Sequence, residues 1–200
     1  MEDLIRLFDV NVFGMHRLTR AMLPFLIESR GRIVNIGSLG GIASTKPMGA
    51  YCMTKFAVEA YSEVIASELK RYGVNVSVVE PGDYRTSLGD NVIGYVKERE
   101  GERNSKLVRE EEAEAKKWLE ETKENYGKRH DPQPVALAVL HALVSSRPRF
   151  RYAVAPSADQ FNWALDGLAE RLVQANQGGG EHALSREEMR NLLDRAWDKE

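Results

Sequence analysis

RIVNIGSLGGIAS (residues 32–44) and YGVNVSVVEPG (residues 72–82) are the two stretches that decide the fold class. Each begins with a short run rich in β-branched residues and ends in glycine-containing loop sequence, which is typical of a strand covered on both faces. Between them, residues 49–72 show apolar residues at helical spacing, with Gly73 as a stop signal. Strands that alternate with helices predict a parallel sheet with right-handed crossovers.

Outside this region the pattern continues in both directions. Upstream, apolar residues at helical spacing predict one long helix from Leu4 to Ile27. Downstream we expect four further elements. They are a helix at 134–145 after an Asp131-Pro132 N-terminal signal, a strand at 150–155, a helix at 161–175, and a helix at 185–198 with a capping box of Ser185 and Glu188.

Composition excludes several classes of protein. The net charge of −2 over 200 residues favours neither nucleic acid nor an anionic membrane as a partner. A single cysteine, Cys52, excludes an internal disulfide, and the four scattered histidines do not suggest a metal site. The sequence contains no signal peptide and no apolar run long enough to span a bilayer, so we expect a cytoplasmic protein.

Three side chains form a candidate catalytic set. Tyr51 and Lys55 are four residues apart in a predicted helix and therefore share one face. A nearby ammonium lowers the pKa of a phenol, and a proton donor or acceptor works best when its pKa is near the operating pH. Ser38 lies on the loop after the first strand, where binding clefts of open α/β sheets occur. The set suits proton transfer to or from an alcohol oxygen.

Each of these residues also has a simpler interpretation. A Tyr-x-x-x-Lys match alone is more often a packed tyrosine and a solvated lysine. Ser38 could bond its own loop backbone. Cys52 points away from Tyr51 around the helix and is interpreted as a small buried hydrophobic residue. The charged stretch from Lys97 to Lys128 is interpreted as a solvated helix face, with a substrate lid over part of it as the alternative.

Three motifs together resemble the short-chain dehydrogenase/reductase family. They are GRIVNIGS (31–38), YCMTKFAVEA (51–60) and VVEPG (78–82), and Asn11 matches the helix asparagine that precedes the serine in that family. Within that family, the sequences of these motifs are most similar to those of hydroxysteroid, retinol and hydroxybutyrate dehydrogenases. The match is strong over residues 1 to about 90 and rests on architecture alone from Asp131 to Pro156.

The resemblance implies a role for each matching residue. Tyr51 would be the catalytic acid/base, Ser38 would orient the substrate oxygen, and Lys55 would lower the pKa of Tyr51 and bond the nicotinamide ribose. Asn11 would hold a water that links Lys55 to a proton relay. Three further residues would line the nicotinamide of NAD or NADP: Pro81, Gly82 and Thr86. Thr86 is equally well interpreted as the N-cap of a following helix.

The resemblance also implies a missing part. The family's Gly-rich phosphate loop and the residue that selects NAD or NADP should precede Asn11, and neither occurs in these 200 residues. We therefore expect a partial Rossmann-type, doubly wound parallel sheet that lacks its first mononucleotide-binding half. The expected domains are an incomplete catalytic domain at 1–156, with a possible lid at 87–130, and a helical C-terminal tail at 157–200.

Three functions remain open at this point. The first is an NAD(P)-dependent oxidoreductase acting on a small alcohol or ketone, inactive as this chain alone and a homo-oligomer when complete. The second is a non-catalytic remnant that pairs or binds through the helices at 4–27 and 49–72. The third is a lyase or epimerase that uses the same Tyr/Lys pair. The similarity of the motif sequences to hydroxysteroid dehydrogenases disfavours this third function.

Overall fold

A computed structural model describes residues 2–198 except 47, 87–112, 114–116, 119, 122–123 and 126. Its strands are β1 (Arg32–Ile36), β2 (Asn75–Pro81) and β3 (Arg151–Val154). They form a parallel sheet in the order β1-β2-β3, so the predicted α/β class and partial Rossmann-type sheet are confirmed. Because the strands are parallel, the loops that follow them meet at one edge of the sheet.

Helices precede, separate and follow these strands. Their bounds are α1 (Glu2–Phe8), α2 (Met15–Ser29), α3 (Gly49–Leu69), α4 (Gln133–Val144), α5 (Ala158–Gln177) and α6 (Arg186–Trp197). The predicted helix from Leu4 to Ile27 is interrupted by a π-helical segment, Asp9–Gly14. Such segments insert an extra residue per turn and occur often at functional sites.

The helix starts follow their capping side chains. Ser185 and Glu188 form the predicted capping box of α6. The Ser157 hydroxyl accepts a hydrogen bond from the Gln160 N–H, which starts α5 three residues before the predicted position. At α4 the cap is Pro132 rather than Asp131, although the Asp131 carboxylate does accept the Gln133 N–H at 2.9 Å.

Two apolar clusters lie on opposite faces of the sheet. On one face, Val76 of β2 packs with Ile65 and Leu69 of α3 and with side chains of α2. On the other face, Val79 packs with Ala142 of α4 and with Tyr152. Residues three apart in a strand point to opposite faces, so β2 is buried on both sides by helices. This is the doubly wound arrangement that the sequence predicts.

The helical spacing of apolar residues over 49–72 places Ala60 and Val64 on the predicted buried side of this helix, and this prediction is wrong. Ala60 and Val64 of α3 are exposed, Val64 by 55%. The buried face of α3 instead includes the polar residues Thr54, Glu59 and Ser62, which an apolar pattern cannot identify. Ile36, the last residue of β1, is 47% exposed, whereas Ile33 and Val34 of the same strand pack against the clusters on opposite faces of the sheet.

The predicted division into domains stays a prediction. Most of the possible lid at 87–130 lies outside the described residues. From the predicted tail, Ala164 of α5 packs against Leu39 and Ile42 in the loop after β1. In the part of the chain that the structure describes, no helix is both long and apolar enough to cross a membrane.

Candidate active site

The loops after β1 and β2 meet as the parallel sheet requires. The Gly37 N–H donates to the Val79 carbonyl at 2.7 Å, which extends the pairing of β1 with β2 by one residue. The Gly82 N–H donates to the Val154 carbonyl at 2.8 Å and extends the pairing of β2 with β3. A methyl group on Gly82 would lie 3.2 Å from the Leu39 side chain, so the two loops are in contact.

Ser38 lies at the start of the first of these loops with an extended backbone. Its Oγ accepts a hydrogen bond from the Gly40 N–H at 3.0 Å and donates to the Pro81 carbonyl at 3.4 Å. The hydroxyl therefore does bond its own loop, as the simpler interpretation of Ser38 predicts. The long bond to Pro81 also ties it to the end of β2.

Tyr51 lies in the first turn of α3 and faces the same loop. A Cβ on Gly40 would be 3.4 Å from Ser38 Oγ and 3.5 Å from Tyr51 Cε1, so both side chains border Gly40. Burial raises the pKa of Tyr51 above its ordinary value, and a hydrogen bond with the Ser38 side chain acts in the opposite direction. The two hydroxyl groups are thus neighbours at the carboxyl end of the sheet.

Lys55 lies one turn further along α3. Its Nζ donates to the Ile36 carbonyl at 2.9 Å and is 5.6 Å from the centroid of the Tyr51 ring. Burial lowers the pKa of Lys55, and the negative charge of Glu59 raises it. The ammonium is therefore beside the phenol ring and bonded to the end of β1, while the group that lowers the Tyr51 pKa is Ser38.

Asn11 reaches α3 from the π-helical segment. Its Nδ2 donates to Thr54 Oγ1 at 3.0 Å, and that hydroxyl donates to the Tyr51 carbonyl at 2.8 Å. Thr54 has no solvent exposure. Asn11 is thus adjacent to the Tyr51–Lys55 turn, and its contact is with Thr54. The water that the resemblance implies between Asn11 and Lys55 stays a prediction.

Pro81 and Gly82 form the other side of this edge. Gly82 is closely packed, since a Cβ there would lie 2.6 Å from Gln160 Oε1 and 2.7 Å from Pro156 Cδ. Gln160 of α5 also accepts the Asp83 N–H at 2.8 Å and so fixes the turn after β2. Thr86 is exposed, four residues beyond Gly82.

A cleft of about 660 Å³ opens nearby, between the end of the Ser38 loop and α5. Its walls include Ser44, Trp163, Asp166 and Arg171. Ser38, Tyr51 and Lys55 are not among its lining residues. The cleft therefore lies beside the hydroxyl pair and does not contain it.

The arrangement can move a proton at a polar atom placed beside Ser38 and Tyr51. Sequence reasoning identified both hydroxyl groups but missed three residues that hold the site: Thr54, Glu59 and Gln160. Helical spacing from Lys55 gives a weak signal for Glu59, since positions i and i+4 share a face. Gln160 lies 78 residues beyond Gly82 in the sequence, and no local pattern connects the two.

The known proteins that this chain resembles belong to one family. The family model described as short chain dehydrogenase matches residues 1–94. D-beta-hydroxybutyrate dehydrogenase, mitochondrial, of Bos taurus is 37% identical over 161 residues, which are 76% of this chain and 46% of the relative. Retinol dehydrogenase 7 of Mus musculus is 34% identical over 184 residues, which are 87% of this chain and 56% of the relative.

Solved structures give the same picture. A short-chain dehydrogenase from Streptomyces avermitilis superposes with a TM-score of 0.62 at 30% identity, covering 90% of this chain and 60% of that chain. A short chain dehydrogenase/reductase from Burkholderia phymatum in complex with NAD has a TM-score of 0.62 at 22% identity, a likeness of fold alone, over 84% of this chain and 58% of that chain. The chain spans about half the length of the curated relatives it matches.

Proposed function

Because the chain belongs to the short-chain dehydrogenase/reductase family, we propose that it serves hydride transfer between NAD or NADP and an apolar secondary alcohol or ketone. The observation that carries the proposal is the contact of the Ser38 and Tyr51 side chains at the carboxyl end of the sheet. A family match without this contact would support ancestry only.

The Ser38 and Tyr51 hydroxyl groups have different roles in the proposed reaction. The Ser38 hydroxyl orients the substrate oxygen, and the Tyr51 phenol gives a proton to that oxygen in reduction or takes it in oxidation. Burial, with a smaller contribution from Cys52, holds the pKa of Tyr51 above its ordinary value, which disfavours the phenolate. A positive charge close to the phenol is therefore needed, and Lys55 is the cation that α3 supplies one turn away.

The residues at this edge fit the nicotinamide end of a dinucleotide. Tyr51 and Lys55 would hold its ribose, and Pro81, Gly82 and Thr86 would line its ring. The Lys55 Nζ is half-buried and retains donor capacity beyond its bond to Ile36. When bound, the nicotinamide supplies or accepts the hydride. The Gly-rich loop that would hold the phosphates does not occur in these 200 residues.

Because that loop does not occur in these 200 residues, we propose that they do not turn over alcohols on their own. The name of one relative, retinol dehydrogenase 7, supports an apolar substrate. Cytoplasmic localisation and assembly into a homo-oligomer remain proposals of the same kind.

A chimera tests the proposal. The N-terminal half of retinol dehydrogenase 7 supplies the dinucleotide loop and is fused ahead of residue 1. The fusion is assayed for formation of NADH or NADPH with retinol, a 3-hydroxysteroid and 3-hydroxybutyrate. We expect turnover by the fusion, none by the 200-residue chain, and a loss of at least about 100-fold in Y51F, the lower range for a general acid/base. Y72F, at a tyrosine that is 40% exposed, is the matched control.

Two results of this assay would contradict the proposal. The first is a folded fusion that binds NADH but has no activity on any alcohol or ketone of the panel. The second is Y51F turnover equal to that of Y72F.

One observation favours a second candidate function, a non-catalytic pairing or binding module. The helices α1 and α2 and the segment between them expose a series of large apolar side chains: Ile5, Val10, Phe13, Leu18, Met22 and Phe25. Light scattering on the 200-residue chain and on L18E separates the cases. A stable dimer that L18E dissociates, combined with an inactive fusion, would favour the module over the enzyme.

A further inference from the structure

A partly buried charge cluster is centred on Arg151 of β3. Arg151 bonds three carboxylates: Glu59 at 2.6 Å, Glu63 at 3.0 Å, and Glu80. Glu80 has no solvent exposure and Glu59 has 7%. Burial raises the pKa of Glu59, while the positive charges of Arg151 and, to a smaller extent, Lys55 lower it.

Glu59 and Glu80 each bond Arg151 through one carboxylate oxygen and leave the other buried without a hydrogen-bond partner among the described residues, and the free oxygen of Glu59 lies against the end of β1. In Glu59 the bonded oxygen is Oε2 and the other is Oε1. A Cβ placed on Gly37 would collide with this Oε1. A Cβ on Gly41 would lie 3.1 Å from Glu59 Cγ. The side chain therefore fills the space beneath the loop that carries Ser38.

Lys55 reaches the same place from one turn earlier in α3. Its Nζ bonds the Ile36 carbonyl, which belongs to the residue directly before Gly37. The Lys55 ammonium therefore bonds Ile36, and the Glu59 carboxylate lies against Gly37, the next residue at the end of β1. Tyr51, Cys52 and Glu63 are the other titratable side chains on this part of α3, and Glu80 and Arg151 face it from the sheet.

We propose that Glu59 is a positioning residue for the site: its side chain, bonded by Arg151, supports the loop that presents Ser38 and lies beside the point at the end of β1 where Lys55 is bonded. The inference rests on the proposed function, in which Lys55 must be charged to act on Tyr51. Burial works against that charge, and Glu59 is the group that opposes the effect of burial on the Lys55 pKa. Arg151 fixes the orientation of the Glu59 carboxylate by bonding Oε2.

The test measures the Lys55 pKa in the 200-residue chain by NMR of ¹³Cε-labelled lysine, with the signal assigned from K55R. E59Q keeps the shape of the side chain and removes its charge. We expect E59Q to lower the Lys55 pKa by about one unit, the lower end of the effect of an opposite charge within ~4–6 Å. E63Q, which removes an exposed partner of the same Arg151, is the matched control and should change it by less than about 0.3 units. E59D should restore most of the wild-type value.

An unchanged Lys55 pKa in folded E59Q, or equal changes in E59Q and E63Q, would overturn the proposal. If E59Q does not fold, the reciprocal measurement replaces it, since coupling between two titrating sites acts equally on both. K55Q should then raise the pKa of the Glu59 carboxyl by about one unit, and no change would refute the coupling. Neither measurement uses cofactor or substrate, so its failure is distinct from failure of the fusion to turn over alcohols.

Discussion

Replacing Gly37 by alanine tests how tightly the site is built onto the charge cluster. The added methyl group would collide with Glu59 Oε1 and lie 3.0 Å from Val78 Cγ2 and 3.3 Å from Glu80 Cγ. Val78 is fully buried in the sheet, and Arg151 holds the carboxylates of Glu59 and Glu80. None of the three neighbours can move without breaking a contact of its own.

The expected cost follows from overpacking. Extra methyl groups forced into a packed interior cost about 1–3 kcal/mol, and we expect about 2 kcal/mol for G37A. For a domain of this length that lowers Tm by about 4–8 °C. The matched control is G49A in the first turn of α3, where a Cβ would meet nothing within 4 Å. Alanine there should be neutral or stabilise by up to about 1 kcal/mol.

Urea denaturation followed by circular dichroism measures both variants against the parent chain. If G37A and G49A had the same free energy of unfolding, Glu59 would not be packed beneath Gly37. The positioning role inferred for Glu59 would then lose its geometric basis.

Three further predictions concern the same region. R151M leaves buried Glu80 without its cation and should lower the free energy of unfolding by about 3–5 kcal/mol at neutral pH. The loss should be smaller near pH 4, because protonated carboxyl groups need no cation. Equal losses in urea denaturation at both pH values would contradict this. S62A removes the hydroxyl that accepts Asn35 Nδ2 at 2.8 Å and should cost about 1–3 kcal/mol by the same measurement, against little change in the exposed control S67A. The pKa of Tyr51 is raised in the folded chain, so its contribution to stability is fully present below its ordinary value of 10.0 and is lost as pH rises through the folded value. The stability difference between the parent chain and Y51F should therefore shrink above pH 10.0, and a difference that grew there would show the opposite shift.

The sequence was sufficient for the element order, because each element carries a local signal. Strands β1 and β2 are short runs rich in β-branched residues with glycine or proline at their ends. Ser185 and Glu188 predict the start of α6 from four residues alone. The parallel pairing followed from the alternation of strands and helices. These are properties of neighbours in the chain.

The features that the sequence did not reveal depend on distant contacts. The buried face of α3 is set by polar residues whose partners lie elsewhere: Glu59 bonds Arg151, 92 residues away, and Ser62 bonds Asn35, 27 residues away. The π-helical segment that carries Asn11 has no glycine or proline inside it before Gly14 to mark it. The site was predictable as a set of hydroxyl and amine groups, but its supporting contacts were not.

The central claim is that the Ser38 hydroxyl lies beside the Tyr51 side chain at the carboxyl end of the sheet. The direct measurement is the Tyr51 pKa from ¹³Cζ-tyrosine NMR in the 200-residue chain, with Y51F used for assignment. Because the Ser38 side chain lowers the pKa of Tyr51, S38A should raise it, while S44A, at an exposed serine later in the same loop, should leave it unchanged. A Tyr51 pKa that is the same in S38A as in the parent chain would show that the two side chains do not interact, and the proposed site would have no geometric support.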